Sequence, residues 1–280
     1  MNDVGWIALS LTGRIGNKTL QALLNHFEGD TSAVLRADAK TLRQVPGVGP
    51  KIAQSIRTID LKQIEAALKN WRQAGVRVLT LQDDAYPLQL KPLEDAPPTL
   101  FVRGENLTFE KSIAIVGTRN PSDEARSLAQ NLSTYLVECG YTIISGLALG
   151  IDSAAHFGAL AHPEGRTGAV LGCGVLNIYP SAHERLADKI MLEGFVLSEV
   201  NPGNTTSPAN LVARNRIITG LSDGVIVVET AVDGGAMYAA RFASQQGRPI
   251  YTVDSAASGN QALIAAGAVV LPKDFENLPF

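Results

Sequence analysis

Two periodicities divide the chain. Through residues 1–72, apolar positions recur at helical intervals and no run alternates convincingly enough for a strand. From residue 112 onward, short apolar runs alternate with longer amphipathic segments, the pattern of a parallel sheet covered by helices. The runs SIAIVG, YTIISG, TGAVLG, FVLSE, GVIVVE, PIYTV and AVVL each predict a strand. Helices are expected near 122–138, 152–160, 183–193, 208–221, 235–246 and 260–266. Several of the strands are apolar without alternation, as expected when both faces are covered. Between the two regions lie a candidate strand, GVRVLTL, and a proline-punctuated segment, DDAYPLQLKPLEDAPPTLFVRG. A connection this long and irregular packs against something instead of floating.

The predicted organisation has three parts. A small all-α helix-hairpin-helix (SAM-like) domain spans 1–72, and an extended joint over 73–110 packs on the sheet domain. An α/β domain over 111–280 carries a Rossmann-like, doubly wound, mostly parallel sheet. In the first part, KTLRQVPGVGPKIAQSI reads as a helix, a glycine hairpin and a second helix opened by Pro50. Gly47 and Gly49 permit a tight turn whose N–H groups face outward at a helix N-terminus, with Lys51 beside it, a ready anion site. LTGRIGNKTLQALLNHF echoes it, Gly16, Lys18 and Leu20 matching the spacing of Gly49, Lys51 and Ala53. Lys18, Gly47, Gly49 and Lys51 are therefore candidate phosphate contacts; the alternative is that both hairpins are scaffold.

Composition narrows the class without choosing a ligand. With 280 residues, 45% apolar and 18% charged, the chain can build one sizeable core and a small extra domain. Its formal charge of −3 gives no global attraction to polyanions, so any nucleic-acid site must be a local basic cluster. Two cysteines, Cys139 and Cys173, suit a reducing compartment better than a disulfide framework. There is no basic segment followed by an apolar run at the N-terminus, and no apolar stretch nears the ~20 residues of a membrane span. A cytoplasmic protein with no membrane insertion is expected.

Chemistry is expected beyond the carboxyl ends of the strands, where strand order reverses. Glycines and small polar residues collect there, in GTRNPS (117–122), SGLALGID (145–152), GCGVLNIYP (172–180) and DGG (233–235). Several such turns at successive strand ends, with Arg119 nearby, point to a phosphate-bearing ligand. A dinucleotide fingerprint is absent, because GCGVLN lacks its third glycine and GTRNPS has one. No Gly-Lys-Ser/Thr loop exists either. Asp152 and His156 lie one helical turn apart, which fits acid–base work less well than a helix cap and a locally bonded histidine. His162 and His183 have no partners at metal-ligand spacing, and Cys173 reads as a small buried residue. No metal and no cofactor are expected.

The stretch SPANLVARNRIITGLSDGVIVVET (207–230) poses a separate question. Ser207 and Pro208 open a helix whose apolar face holds Leu211, Ile217, Ile218 and Leu221, and Arg214 falls inside that face. A buried guanidinium needs a partner. Glu199 or Glu229, at neighbouring strand ends, is the favoured one, with Arg216 then the expected phosphate contact; the alternative is that Arg214 itself reaches a phosphate across the carboxyl edge of the sheet.

Taken in order, IAIVGTRNPS, ISGLALGIDSAAHFGAL, TGAVLGCGVLNIYP, LSEVNPG, ARNRIITGLSDGVIVVE and GNQALIAAGA resemble the DprA (Smf) family of DNA-processing proteins. YPLQLKPLEDAPPTLFVRG is similar to the segment that precedes that family's Rossmann-like domain, so the resemblance spans nearly the whole chain. It implies a non-enzymatic homodimer that binds single-stranded DNA in a basic groove, protects incoming DNA and helps load the RecA recombinase in natural transformation. The positions it implies for phosphate contact are Gly117, Thr118 and Arg119; Ser145, Gly146, Leu147 and Ala148; Arg214, Asn215 and Arg216; and Gly234 and Gly235. The chain departs from the family where Leu211-Val212-Ala213 replaces Phe-Pro and one residue, removing an aromatic platform. It departs again at Gly234-Gly235-Ala236-Met237-Tyr238-Ala239-Ala240, where two hydroxyl donors of the family pattern are missing. Two other readings remain: a nucleotide-sensing module that binds without turnover, and a nucleoside-monophosphate phosphoribohydrolase. The second needs Gly-Thr and a glutamate after Gly234-Gly235, and neither is present.

Overall fold

The structure is a computed structural model that describes every residue except Met1, Asn2, Arg14, Thr108, Glu110, Lys273, Glu276, Asn277 and Phe280. Its contacts group into two compact units, Met1–Phe101 and Val102–Phe280. The division falls inside the 73–110 segment, and residues 73–101 belong to the first unit. Tethers within the first unit explain this. Trp6 Nε1 donates to the Pro98 carbonyl (3.0 Å), the Tyr86 hydroxyl to the Pro97 carbonyl (2.7 Å), and Trp71 packs edge-on against Phe101 (5.2 Å).

In the first unit the helices are α1 (Val4–Ser10), α2 (Asn17–His26), α3 (Thr31–Arg36), α4 (Ala39–Leu42), α5 (Pro50–Arg57) and α6 (Leu61–Gln73). Two strands follow, β1 (Arg77–Thr80) and β2 (Thr99–Arg103), the second carrying the chain across the division. The polar punctuation of the sequence sets the helix starts. Asp3, Asp30, Asp38 and Asp60 cap α1, α3, α4 and α6, each carboxylate accepting from first-turn N–H groups. Helices α2 and α5 start differently, from Gly16 and Gly49 with no side-chain cap. Those two glycines share nearly the same backbone angles, φ −83°, ψ 177° and φ −81°, ψ 175°, so the echo between the hairpins is a structural repeat. Leu20, Leu23, Ala53 and Ile56, all buried, are the inward-facing residues of the pair.

The second unit alternates strand and helix: β3 (Ser112–Val116), α7 (Asp123–Glu138), β4 (Thr142–Ser145), α8 (Ile151–Ala161), β5 (Thr167–Val170), α9 (Glu184–Glu193) and β6 (Phe195–Ser198). Then come α10 (Pro208–Ala213), α11 (Asn215–Gly220), β7 (Gly224–Val227), α12 (Ala236–Gln245), β8 (Ile250–Val253), α13 (Ser258–Ala265) and β9 (Val269–Leu271). The strands run in the order β6-β5-β4-β3-β7-β8-β9, and every pairing along that run is parallel. Ile113, Ile115, Ile143 and Ile226 project from the sheet into a core shared with Ala129, Leu132 and Leu136 of α7 and Ala154, Ala155 and Ala159 of α8. Small residues on α8 let it lie close to its neighbours; a Cβ at Gly158 would meet the Gln130 carbonyl at 2.2 Å.

The sequence pattern predicts a single helix over 208–221, and the structure divides it. Arg214 separates α10 from α11 while keeping helical angles (φ −57°, ψ −26°), the low ψ being that of a tight 3₁₀-like turn. The reversal of strand order falls between β3 and β7, and the carboxyl ends of those two strands define where the site lies.

Candidate functional site

A cleft of about 370 Å³ opens at that reversal. Four segments line it: Val116–Arg119 after β3, Ala148 and Asp152 around the start of α8, Leu211, Arg214 and Asn215 from the α10–α11 segment, and residues 230–236 after β7. Each is held by contacts the sequence encodes locally. The Thr118 N–H donates to the Glu229 carbonyl (2.7 Å), while its own carbonyl accepts from the Ile151 N–H (3.1 Å). A Cβ at Gly117 would fall 2.5 Å from the Ile151 side chain, so only glycine allows that turn to lie against α8. After β7, Asn260 of α13 accepts from the Thr230 N–H (2.9 Å) and donates to the Val228 carbonyl (2.9 Å) and the Thr252 hydroxyl (2.9 Å). Fully buried, this amide pins the loop that carries Gly234 and Gly235.

The cleft floor contains Arg214, which is 6% exposed. Nη1 donates to the Gly146 carbonyl and to the Val170 carbonyl (3.1 Å), and Nη2 stands 3.6 Å from Asp152 Oδ2. Asp152 also accepts from the Ala148 N–H (3.3 Å). Burial pushes the Asp152 carboxyl upward from its ordinary pKa, and the Arg214 charge acts against that shift. Burial likewise lowers the Arg214 guanidinium, and Asp152 opposes it. The pair therefore brings one cation and one anion to the floor of the cleft. Arg119, exposed at the rim, adds a second positive charge, and its field, like that of Arg214, acts on the Asp152 carboxyl.

The expected partner of Arg214 is corrected here. Neither Glu199 nor Glu229 pairs with Arg214; the partner is Asp152, expected instead to be only a helix cap. The Glu229 carboxylate accepts from the Ser122 N–H (2.9 Å) and hydroxyl (3.1 Å), because the β7 end lies beside the start of α7. Glu199 is 2.5 Å from Arg216 Nη2, which places Arg216 in an ion pair away from the cleft lining.

Other sequence candidates separate in the same way. Gly117, Thr118, Arg119, Ala148, Arg214, Asn215, Gly234 and Gly235 converge on the cleft. Ser145 does not, being buried with its hydroxyl on the Ile115 carbonyl (2.6 Å). Gly146 faces Arg214; a Cβ there would lie 2.5 Å from the guanidinium carbon, so this glycine makes room for an arginine. Leu147 is buried, with φ +63°, and its carbonyl accepts from His183 Nδ1 (2.9 Å). Lys18, Gly47, Gly49 and Lys51 belong to the first unit, where Lys18 pairs with Glu94 (3.4 Å) and the other three are exposed. Asp152, Leu211, Thr230 and Ala236 line the cleft without having been singled out as ligand contacts. Asp152 is the one with a readable signal, since a carboxylate opening an apolar helix opposite a buried arginine is a pairing candidate.

Backbone donors complete the site. Helix α12 starts at Gly235 with no side-chain cap, and its first turn carries no acidic residue. The start of α7 is capped by Ser122 and carries Asp123 and Glu124, so it is the less favourable place for an anion. The α12 terminus, the Gly117–Arg119 turn and the Arg119 side chain together suit an oxyanion of phosphate type. Catalytic groups are harder to find. His156 bonds Thr167 Oγ1 (2.7 Å) rather than a near neighbour in sequence, and burial lowers its pKa to about 3. Burial also raises the Cys173 thiol, keeping it protonated and unreactive. No group of three His, Cys, Asp or Glu side chains able to hold a metal occurs among the described residues.

Comparison with known proteins bears on the family and the fold. The family model for DNA recombination-mediator protein A matches residues 77–278, and a SAM-like helix-hairpin-helix tandem matches 12–62. The chain is 35% identical to protein Smf of Synechocystis over 95% of this chain and 69% of that protein. It is 39% identical to DNA processing protein DprA of Streptococcus pneumoniae over 68% of each. The crystal structure of DprA from S. pneumoniae matches with a TM-score of 0.84 at 28% identity, covering 100% of both chains. DNA processing protein A from Helicobacter pylori, described for its single-stranded DNA binding mode, matches with a TM-score of 0.63 at 28% identity, covering 69% of this chain and 89% of that one.

Two predictions follow from the buried groups. Arg214→Ala leaves Asp152 buried without its cation and is expected to lower unfolding free energy by roughly 3–5 kcal/mol; replacing both Asp152 and Arg214 by alanine should cost less than the sum of the single changes, and strictly additive denaturant midpoints would contradict the pairing. Unfolded, the His156 imidazole takes a proton near pH 6.5; folded, it does so only near 3. The unfolded state thus binds more protons between those values, and stability falls as pH drops through that window, by about 1.4 kcal/mol per unit from this group. Urea midpoints of His156→Asn should depend less on pH than wild type between roughly pH 6.5 and 4.5; equal dependence would show that His156 is not held neutral.

Proposed function

The chain belongs to the DNA recombination-mediator protein A (DprA/Smf) family, and on that premise we propose that it binds single-stranded DNA through the cleft at the strand-order reversal. The carrying observation is convergence: the uncapped start of α12, the Gly117–Arg119 turn and the exposed Arg119 side chain all face one cavity. An acidic protein that binds a polyanion must do so through such a local field. Backbone donors and one exposed cation recognise phosphates without reading bases, which suits a protein that handles strands of any sequence.

In this reading the protein is a binding protein and not an enzyme. The carboxylate lining the cleft is Asp152, buried and engaged by Arg214, so it is not free to stabilise an oxocarbenium-like centre or to activate water. Arg119, Asn215, Gly117, Gly234 and Gly235 are the proposed contact residues, and Arg214 is the group that shapes the floor beneath them. Arg216, engaged by Glu199, supports the α10–α11 segment from outside the cleft. The exposed Lys51 hairpin of the first unit is a proposed minor contact. Action as a homodimer, protection of incoming DNA and its delivery to RecA in natural transformation complete the proposal, on the strength of family membership.

Affinity for single-stranded oligonucleotides is expected to fall steeply with salt, log K declining with log salt by about 0.7 for each phosphate neutralised. Arg119→Ala should weaken binding to all sequences about equally and reduce that slope by roughly one phosphate's share. Affinity that barely changes from low to physiological salt would exclude phosphate neutralisation as the basis of binding.

A further inference from the structure

A second, smaller hollow adjoins the cleft. Arg119, Ala148, Leu211 and Arg214 line both, and the hollow adds Leu149, Tyr179 and Pro180. Among the described residues lining the two, Tyr179 is the one aromatic. Its ring is 43% exposed, yet the chain that carries it is tied down. The next carbonyl, of Pro180, accepts from the His183 N–H (2.9 Å), and the His183 ring donates to the Leu147 carbonyl (2.9 Å). A large apolar face on a fixed loop can be covered at little entropic cost. Tyr238 is comparably exposed, but Arg241 stands 5.5 Å over its ring and it lines neither hollow.

We propose that Tyr179 is a stacking platform for a nucleobase. The inference rests on the phosphate reading of the cleft. A phosphate held at Arg119 borders both hollows, which brings the base of the same strand to the tyrosine face, with Leu149 at its edge. Every base has such a face, so the contact adds affinity without sequence preference. A base already stacked and paired in a duplex cannot supply it, so the same residue favours single strands over double strands.

The test compares an ordinary oligothymidylate with an oligomer of abasic sites carrying the same phosphates, measured on the full chain. Tyr179→Ala is expected to weaken oligothymidylate binding about tenfold, within the range of one base–aromatic stack, and to leave abasic binding unchanged. Tyr179→Phe should bind both as wild type does. Tyr179→Trp should keep its affinity, and its emission should be quenched by oligothymidylate but not by the abasic oligomer; the native Trp6 and Trp71 are buried, 2% and 8% exposed. That readout decides the matter should the alanine variant fail to fold. Wild-type affinity in Tyr179→Ala, equal losses on both oligomers, or no base-dependent quenching would overturn the stacking role while leaving the phosphate cleft standing. Wild-type protein that binds neither oligomer in a salt-sensitive way would overturn the cleft reading, and this one with it.

Discussion

The guanidinium of Arg214, sunk among carbonyls at the carboxyl edge of a parallel sheet, is the contact on which the site depends. Parallel strands all end the same way, so β4 and β5 leave carbonyl groups facing one region with no further strand to satisfy them. Arg214 donates to two of them, at Gly146 and Val170, and sets its charge against Asp152. One side chain thereby links the loop after β4, the end of β5, the start of α8 and the α10–α11 segment. A lysine could not do this, because a single ammonium lacks the planar fork that reaches carbonyl and carboxylate together.

That arrangement separates structure from binding within a short sequence. Arg214, almost fully buried, turns its Nη1 and Nη2 groups to protein carbonyls and to Asp152. Arg216 is engaged by Glu199. The cation left at the rim is Arg119, and the rest of the positive potential comes from backbone N–H groups at glycine turns and the α12 terminus. A site built this way needs no excess of basic residues, which reconciles a formal charge of −3 with a polyanionic ligand.

Much of this was legible in the chain itself. Uninterrupted apolar strands alternating with amphipathic segments are sufficient to read a covered parallel sheet, and the glycine turns at strand ends mark the edge where the cleft opens. Periodicity also shows that Arg214 lies on a buried face, but it cannot say which carboxylate meets it. Asp152 is 62 positions away in sequence, on a helix that follows β4, while Arg214 lies in the segment between β6 and β7, so only the fold brings the two together. Glycine is ambiguous for the same reason. Gly146 looks like an approach for phosphate, yet its missing Cβ accommodates the guanidinium. Ser145 reads as a ligand donor, yet its hydroxyl caps a strand carbonyl. The role of Asn260 in pinning the loop after β7 depends on contacts from α13, well outside any local motif.

In the proposed binding mode, backbone donors at two turns of the sheet edge receive the strand's phosphates. Hydrogen–deuterium exchange of the full chain, with and without saturating single-stranded oligonucleotide, examines those donors directly. Added protection is expected in peptides spanning 117–119 and 234–238, with smaller changes across the hairpin at 47–51. Protection confined to the hairpins, or absent from both sheet-edge turns while the oligonucleotide is bound, would contradict it.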